Sequence, residues 1–336
     1  MGDSILGYWW RGYLVFALVI LLNGCGGGDK NVPLTYSMLP EFERTQLLTE
    51  DGDTLLPVRI ELDHDTLYVS YNGRSRIDVF TPDFVRLRTI ALTDPEPIYP
   101  TSFTVSDSAI YIVDHAKRAL IATDRDGRIH ESFNTLPDGK TPLSPLAVAF
   151  HGGVAYVTDI ALRRVLAISM VEASGITEKG ELILHIPADE ANQIGFPSAV
   201  RVTLDGRLLI GDAESGTVRV FTCDGRPIYD FDTIPLPGAM APLGFAVDGI
   251  QDASLQDSSR FDPSNVHTHG RYHVVDGNNA VVHMFNPLGH YIGSYGAEDL
   301  TRPSDIAIDT KRARIYIADP HAQRIVVYKY EERADG

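Results

Sequence analysis

The chain has 336 residues, of which 44% are hydrophobic and 22% are charged, so it can bury a sizeable core and is not a globally disordered protein. Its formal net charge of −16 excludes nucleic acid and anionic lipid surfaces as electrostatic partners, because both are bound through Lys and Arg. The two cysteines, Cys25 and Cys223, are too few for a disulfide framework or a cysteine-rich zinc site.

The first predicted element is the uncharged apolar segment 13–22, which is short for a bilayer-spanning helix of about 20 residues and is typical of a signal-peptide core. Leu22-Asn23-Gly24-Cys25 follows directly and resembles a bacterial lipobox. The resemblance implies that residues 1–24 are a lipoprotein signal peptide and that Cys25 is lipidated and becomes the mature N-terminus. The alternative is an uncleaved N-terminal anchor with an incidental cysteine.

Residues 25–42 are predicted to form a lipidated flexible tether, because three glycines follow the cysteine; such a stretch spans about 20–25 Å. The lipid on Cys25 would anchor an outward-facing domain to a membrane of the bacterial cell envelope. The sequence leaves the membrane and the leaflet open.

From residue 43 to residue 330 one pattern recurs six times. An apolar strand ends at an anchor residue, a polar turn follows, and a second apolar strand begins about five positions later. The six anchors are Tyr71, Asp114, Asp159, Asp212, Asp276 and Asp319. A Pro-led strand precedes each pair, and most pairs are followed by a glycine turn and a fourth strand. Four short strands in a unit of about 43 residues predict an all-β fold, a six-bladed β-propeller of four-stranded blades.

The sixth copy ends on its third strand, at Tyr328, which would leave an unpaired sheet edge. Residues 43–50 have no other place in the pattern. We therefore predict that this N-terminal strand completes blade six and closes the ring, with residues 331–336 as a C-terminal tail.

The pattern Tyr-Ile-Ala-Asp-x4-Arg-Ile-x-Val-Tyr at residues 316–328 resembles the NHL repeat, and residues 43–330 are similar to NHL or TolB-like six-bladed propellers of the bacterial lipoprotein type. The resemblance implies a fold and is weak for function. Residues 156–165 are also similar to a stretch of peptidylglycine amidating lyases, but Arg163 stands where that family has histidine. No histidine follows a blade-opening proline either, so we reject the lyase activity. The metal site of gluconolactonase-type propellers is not visible either.

Five of the six anchors are aspartates. A carboxylate at the start of a tight turn accepts hydrogen bonds from backbone N–H groups, so we interpret them as turn caps. A carboxylate ring that binds a cation at the channel mouth is the alternative.

Blade five carries an insertion, residues 249–271, that contains His267 and His269 and lies just before His273. His-x-His in an extended segment places both rings on one face, so these three histidines are a weak candidate metal site; a solvated polar loop is the alternative. We assign no cofactor.

Six basic residues occupy the second-to-third-strand loops of blades one to three. They are Arg74, Arg76, Lys117, Arg118, Arg163 and Arg164. Loops of one type share a face of a propeller, which predicts a partner surface for an acidic glycan or peptide; ordinary charge solvation is the alternative.

Together these features favour a lipid-anchored cell-envelope propeller that is not an enzyme and acts as a ligand- or protein-binding module. The expected partner is an envelope protein, a peptide or a glycan, and not nucleic acid. The alternative is a metal-dependent hydrolase or lyase with its site at the channel mouth. No catalytic residue is assigned from the sequence.

Overall fold

The computed structural model describes residues 39–330 except 51, 94, 137–138, 171, 174–175, 178–180, 187–193, 204 and 249–269. The predicted signal peptide, Cys25, most of the tether, His267, His269 and the C-terminal tail lie outside the described residues. Within the described ranges, no helix has the length and hydrophobicity needed to cross a membrane.

The described chain folds into six four-stranded antiparallel sheets, which confirms the predicted six-bladed propeller. The strands are β1 (Glu41–Gln46), β2 (Thr49–Glu50), β3 (Asp53–Thr54), β4 (Pro57–Asp63), β5 (Thr66–Tyr71), β6 (Arg76–Phe80), β7 (Arg86–Ala91), β8 (Ser102–Val105), β9 (Ala109–Asp114), β10 (Ala119–Asp124), β11 (Ile129–Phe133), β12 (Pro145–His151), β13 (Val154–Asp159), β14 (Arg164–Ser169), β15 (Glu172–Ala173), β16 (Ile176–Thr177), β17 (Glu181–Ile186), β18 (Pro197–Val202), β19 (Arg207–Asp212), β20 (Thr217–Thr222), β21 (Pro227–Asp230), β22 (Pro242–Val247), β23 (Tyr272–Asp276), β24 (Val281–Phe285), β25 (Tyr291–Tyr295), β26 (Asp305–Asp309), β27 (Arg314–Asp319) and β28 (Arg324–Lys329). Blade one contains β4–β7, blade two β8–β11, blade three β12–β14 and β17, blade four β18–β21, blade five β22–β25, and blade six β26–β28 with β1.

The N-terminal strand closes the ring, as predicted. β1 pairs antiparallel with β28, from Glu41 opposite Lys329 to Gln46 opposite Ile325. The pairing strand begins two residues earlier than predicted and ends at Gln46, because the residues after it form the separate hairpin β2–β3. The edge that blade six would otherwise expose is therefore covered by the chain itself.

Six apolar clusters fill the spaces between neighbouring blades, one for each pair. The cluster between blades six and one, for example, packs Tyr316 and Val327 against Leu67 and Phe80. Each fully buried large apolar side chain contributes about 1.5–3 kcal/mol, so the blade interfaces are the main source of stability. The alternation of each strand points one set of side chains toward each neighbouring blade.

The aspartate anchors are buried turn caps in the five blades that have them, with exposures of 3% or less. Asp114 shows the arrangement: its carboxylate accepts the N–H of Lys117 in the following turn (3.0 Å) and the N–H of Tyr99 in the connection from the preceding blade (2.9 Å). Asp319 likewise accepts the N–H groups of Thr301 and Arg302, both at 2.9 Å. These contacts support the interpretation as turn caps, because the carboxylates are satisfied by backbone donors.

Candidate functional site

The first strands of the six blades, β4, β8, β12, β18, β22 and β26, contact one another in a closed ring around the central axis. The inner edge of each first strand has no neighbouring strand to pair with, and side chains of the preceding blade satisfy some of its N–H groups. The N–H of Ile60 donates to Asp305 Oδ2 (2.8 Å), and the N–H of Val105 donates to Glu61 Oε1 (3.1 Å). The N–H of Val148 donates to Ser102 Oγ (3.2 Å). The blades are thus joined by polar contacts at the axis.

Four charged residues converge at this axis, and we call them the channel quartet: Arg59 and Glu61 of blade one, Arg201 of blade four and Asp305 of blade six. Blades one and four face each other across a six-bladed ring, and the charge of Arg201 interacts with those of Glu61, Arg59 and Asp305. Each residue of the quartet lies on a first strand that begins at or just after a proline and is otherwise mostly apolar.

Two members of the quartet form a buried ion pair. Arg59 Nη1 lies 3.1 Å from Asp305 Oδ1, and Asp305 is 2% exposed. Burial raises the pKa of Asp305, although Arg59 and the N–H of Ile60 oppose the shift. This pair is committed to holding blade six against blade one.

Glu61 is also engaged, on one oxygen. Its Oε1 accepts the Thr104 hydroxyl and the Val105 N–H, both at 3.1 Å. Burial raises the pKa of Glu61, with Arg201 as the largest opposing influence. Because its pKa is raised and one of its oxygens is not hydrogen-bonded, Glu61 is the acid or base candidate among the described channel residues.

Arg201 differs from the other three. In the described part of the chain its guanidinium has neither a hydrogen-bond acceptor nor a salt bridge, only longer-range interactions with the rest of the quartet. The side chain is half-buried, so solvent reaches it, but protein surrounds it and this desolvation lowers the pKa of Arg201. Arginine stays protonated in proteins, so a cation with five N–H donors stands in the channel.

The six basic residues of the predicted partner surface lie in or beside the second-to-third-strand turns of blades one to three, and acidic neighbours cancel part of their charge. The ion pairs are Arg76 with Glu50 and Asp78, Lys117 with Glu96, and Arg163 with Glu214. Glu50 lies on β2, in the segment that connects the closing strand to blade one. Arg74 and Arg118 lie on these turns and Arg164 begins β14 directly after one of them, and the partner role of the six residues stays a prediction.

His273 is buried, with no exposed surface. Its Nε2 lies 3.0 Å from Asp248 Oδ2, and its Nδ1 lies 3.0 Å from the Tyr295 hydroxyl. Both ring nitrogens are therefore occupied by protein. The described residues contain no group of three His, Cys, Asp or Glu side chains placed to hold a metal ion. The candidate metal site thus depends on His267 and His269, outside those residues.

The structure also brings together a Ser-His-Asp arrangement that sequence reasoning did not assemble. His283 Nδ1 lies 2.7 Å from Ser294 Oγ, and its Nε2 lies 3.1 Å from Asp276 Oδ2. The Ser294 hydroxyl is also 2.6 Å from the Tyr291 hydroxyl, and Asp276 caps its turn, for example through the N–H of Ala241 (3.1 Å). Because His283 is fully buried and both its partners have other bonds, we interpret this as a cross-strand network within blade five.

Sequence signals existed for both missed features. Charged residues two positions apart in an apolar first strand, Arg59 and Glu61, indicate side chains that leave the core on one side of the strand. Ser294 lies directly opposite His283 in the register of β24 and β25, so a cross-strand pairing of blade five would have placed them together.

No protein-family model matches the chain, and no curated protein matches it. Solved structures do match. A streptogramin B lyase structure has a TM-score of 0.57 at 15% identity, covering 86% of this chain and 88% of that chain. A selenomethionine-substituted virginiamycin B lyase from Staphylococcus aureus has a TM-score of 0.54 at 16% identity, covering 86% and 89%.

A catalytically inactive histidine-to-alanine variant of the Staphylococcus aureus virginiamycin B lyase with quinupristin has the same TM-score of 0.54 and identity of 16%, and covers 86% of this chain and 99% of that chain. At such identities a shared fold does not transfer an activity. The comparisons and the strand order therefore agree on the architecture, which is that of a six-bladed β-propeller.

Proposed function

We propose that the protein is a non-catalytic binding module of the bacterial cell envelope, anchored by a lipid on Cys25, that takes a ligand at its central channel. The observation that carries the proposal is Arg201, a cation in the channel that has no direct partner among the described residues. The carboxylates of the channel, Asp305 and Glu61, already accept hydrogen bonds from other groups. Propellers bind partners through the ends of the channel, where loops of all blades converge. The resemblance to NHL or TolB-like lipoproteins supports the location.

A metal-dependent hydrolase or lyase is the alternative function, and two observations support it. Lyases are among the solved structures that share the fold, and burial raises the pKa of Glu61 in the channel. Against it, the described residues offer no metal-binding group, and Asp305 is committed to Arg59 and the backbone.

A metal analysis separates these two functions. We expect the full chain, purified in mild detergent and treated gently with a chelator, to contain far less than one equivalent of zinc or calcium by inductively coupled plasma mass spectrometry. The reason is that no preorganised ligand set lies among the described residues. One equivalent that survives chelation would instead support the hydrolase or lyase and would make lactones and esters the substrates to test.

Lipidation has its own test. In cells, the Cys25→Ser variant should move from the detergent phase to the aqueous phase in a phase-partition experiment, because two acyl chains anchor a protein stably and residues 13–22 alone are short for a span. The Cys223→Ser variant serves as the matched control and should stay in the detergent phase. Retention of the Cys25→Ser variant there would favour the uncleaved anchor.

A further inference from the structure

We infer that the channel ligand is a small monocarboxylate, bound through its carboxylate to the guanidinium of Arg201. The inference rests on the proposed binding function and names the chemical class of the ligand. It comes from comparing which polar groups of the channel quartet already have partners and which do not.

The carboxylates of the quartet are already hydrogen-bonded. Asp305 uses one oxygen for Arg59 Nη1 (3.1 Å) and the other for the Ile60 N–H (2.8 Å). Glu61 accepts two donors from blade two on one oxygen. A cationic ligand would have to compete with these contacts, so the quartet is poorly suited to bind one.

The largest unused hydrogen-bonding capacity of the quartet is that of Arg201. Arg201 presents a planar fork of N–H donors, and no described residue accepts from it. Solvent reaches this guanidinium, and a carboxylate would replace the water with two parallel, charge-assisted hydrogen bonds. The geometry of the fork thus selects a planar, bidentate acceptor.

The surroundings of Arg201 limit the charge and the size of the ligand. The quartet contains two guanidinium and two carboxyl groups, so it can accept one negative charge more readily than two, and a dianion would be repelled by Glu61 and Asp305. The first strands of neighbouring blades contact one another around the axis, so the space beside Arg201 favours a small ligand.

The test uses the full chain in mild detergent and matched pairs of probes that differ in charge alone. Butyrate and benzoate are compared with butyramide and benzamide, and inorganic phosphate serves as the dianionic probe. Binding is measured by saturation-transfer NMR and by the shift of the thermal unfolding midpoint. We expect both carboxylates to bind about tenfold or more tightly than their amides, and phosphate to bind weakly, because hydrogen bonds between charged groups are about twice as strong as neutral ones.

Three variants connect the binding to the quartet. Arg201→Gln should weaken carboxylate binding about tenfold or more, and Arg201→Lys should lose part of it, since lysine keeps the charge but not the fork. Glu61→Gln should strengthen carboxylate binding, because a like charge is removed while an oxygen acceptor remains for Thr104. A gain in affinity cannot arise from misfolding. Arg226→Gln, whose side chain is 78% exposed, is the control and should change nothing.

Equal binding of a carboxylate and its amide, carboxylate binding that survives Arg201→Gln, or no binding of any carboxylate would overturn the inference. Preferential binding of phosphate or of the neutral amides would overturn it as well but would leave the proposed binding function standing. Chemical conversion of a bound envelope compound, together with one tightly held metal per chain, would instead remove the proposed function.

Discussion

A chain that begins at residue 47 should not fold into a soluble monomer, whereas a chain that begins at residue 39 should be as stable as the full protein. Removing β1 exposes the whole edge of β28 and deletes the pairing from Glu41 to Gln46. It also deletes Glu43, whose two oxygens bind the Arg314 guanidinium at 3.0 and 3.1 Å, and Phe42, which packs edge-on against Tyr328.

The expected loss is large because each backbone hydrogen bond contributes about 1 kcal/mol and a typical domain is stable by only about 5–15 kcal/mol. Size-exclusion chromatography and thermal unfolding by circular dichroism measure the outcome. A synthetic peptide of residues 39–48, added during refolding, should restore the soluble monomer. If the chain from residue 47 unfolds at the same temperature as the chain from residue 39, then the closing strand does not stabilise the ring.

The Asp248→Asn variant should lose about 3–5 kcal/mol of unfolding free energy, the cost of breaking a buried ion pair from one side. Asp248 is 3% exposed and directly follows β22. Its carboxylate accepts the Arg271 N–H (2.7 Å) and Arg271 Nε (2.8 Å), and Oδ2 lies 3.0 Å from His273 Nε2. These contacts join the two ends of the blade-five insertion, so asparagine would leave the partly buried guanidinium of Arg271 without a charge partner.

Asp65→Asn is the matched control. Asp65 also bonds two basic groups, Lys311 Nζ at 2.9 Å and Arg312 Nη1 at 2.7 Å, and these hydrogen bonds lower the pKa of Asp65 to about 2. This carboxylate is half exposed, however, and exposed ion pairs contribute little to stability. We expect almost no change in its denaturation midpoint in urea. Equal losses in the two variants would mean that burial is not what makes the Asp248 contacts strong.

The Asp248 contribution should also depend on pH in a defined direction. Burial alone would raise the pKa of Asp248, but His273 and Arg271 outweigh it and hold that pKa well below the ordinary value. A depressed folded-state pKa adds stability that is present above the unfolded value of about 3.9 and is lost as the pH falls toward the folded value. The difference in unfolding free energy between the wild type and Asp248→Asn should therefore shrink as the pH falls below about 4. A difference that grows on acidification would contradict this assignment.

The number of blades, the strand order within them and the origin of the closing strand were predictable from the amino-acid sequence. These features depend on local patterns: alternation of apolar residues within a strand, an aspartate at the turn, and a proline before the first strand. The aspartates were predicted as turn caps for the same reason, since Asp114 and Lys117 are neighbours in the chain. Both ends of the closing strand were misplaced, because strand boundaries depend on pairing partners far away.

The channel quartet and the buried contacts of blade five required the tertiary structure. Arg59 and Asp305 are 246 positions apart, and Asp248 and His273 are 25 apart with an insertion between them. Nothing in the local pattern indicates that the charges of Arg201 and Glu61 interact, because their blades face each other only when six blades close around one axis. The charge balance of the basic loops likewise depends on Glu50, Glu96 and Glu214, which come from other segments. Strand patterns are local and can be recognised along the chain. The partners of charged groups come from distant segments that are brought together only when the ring closes.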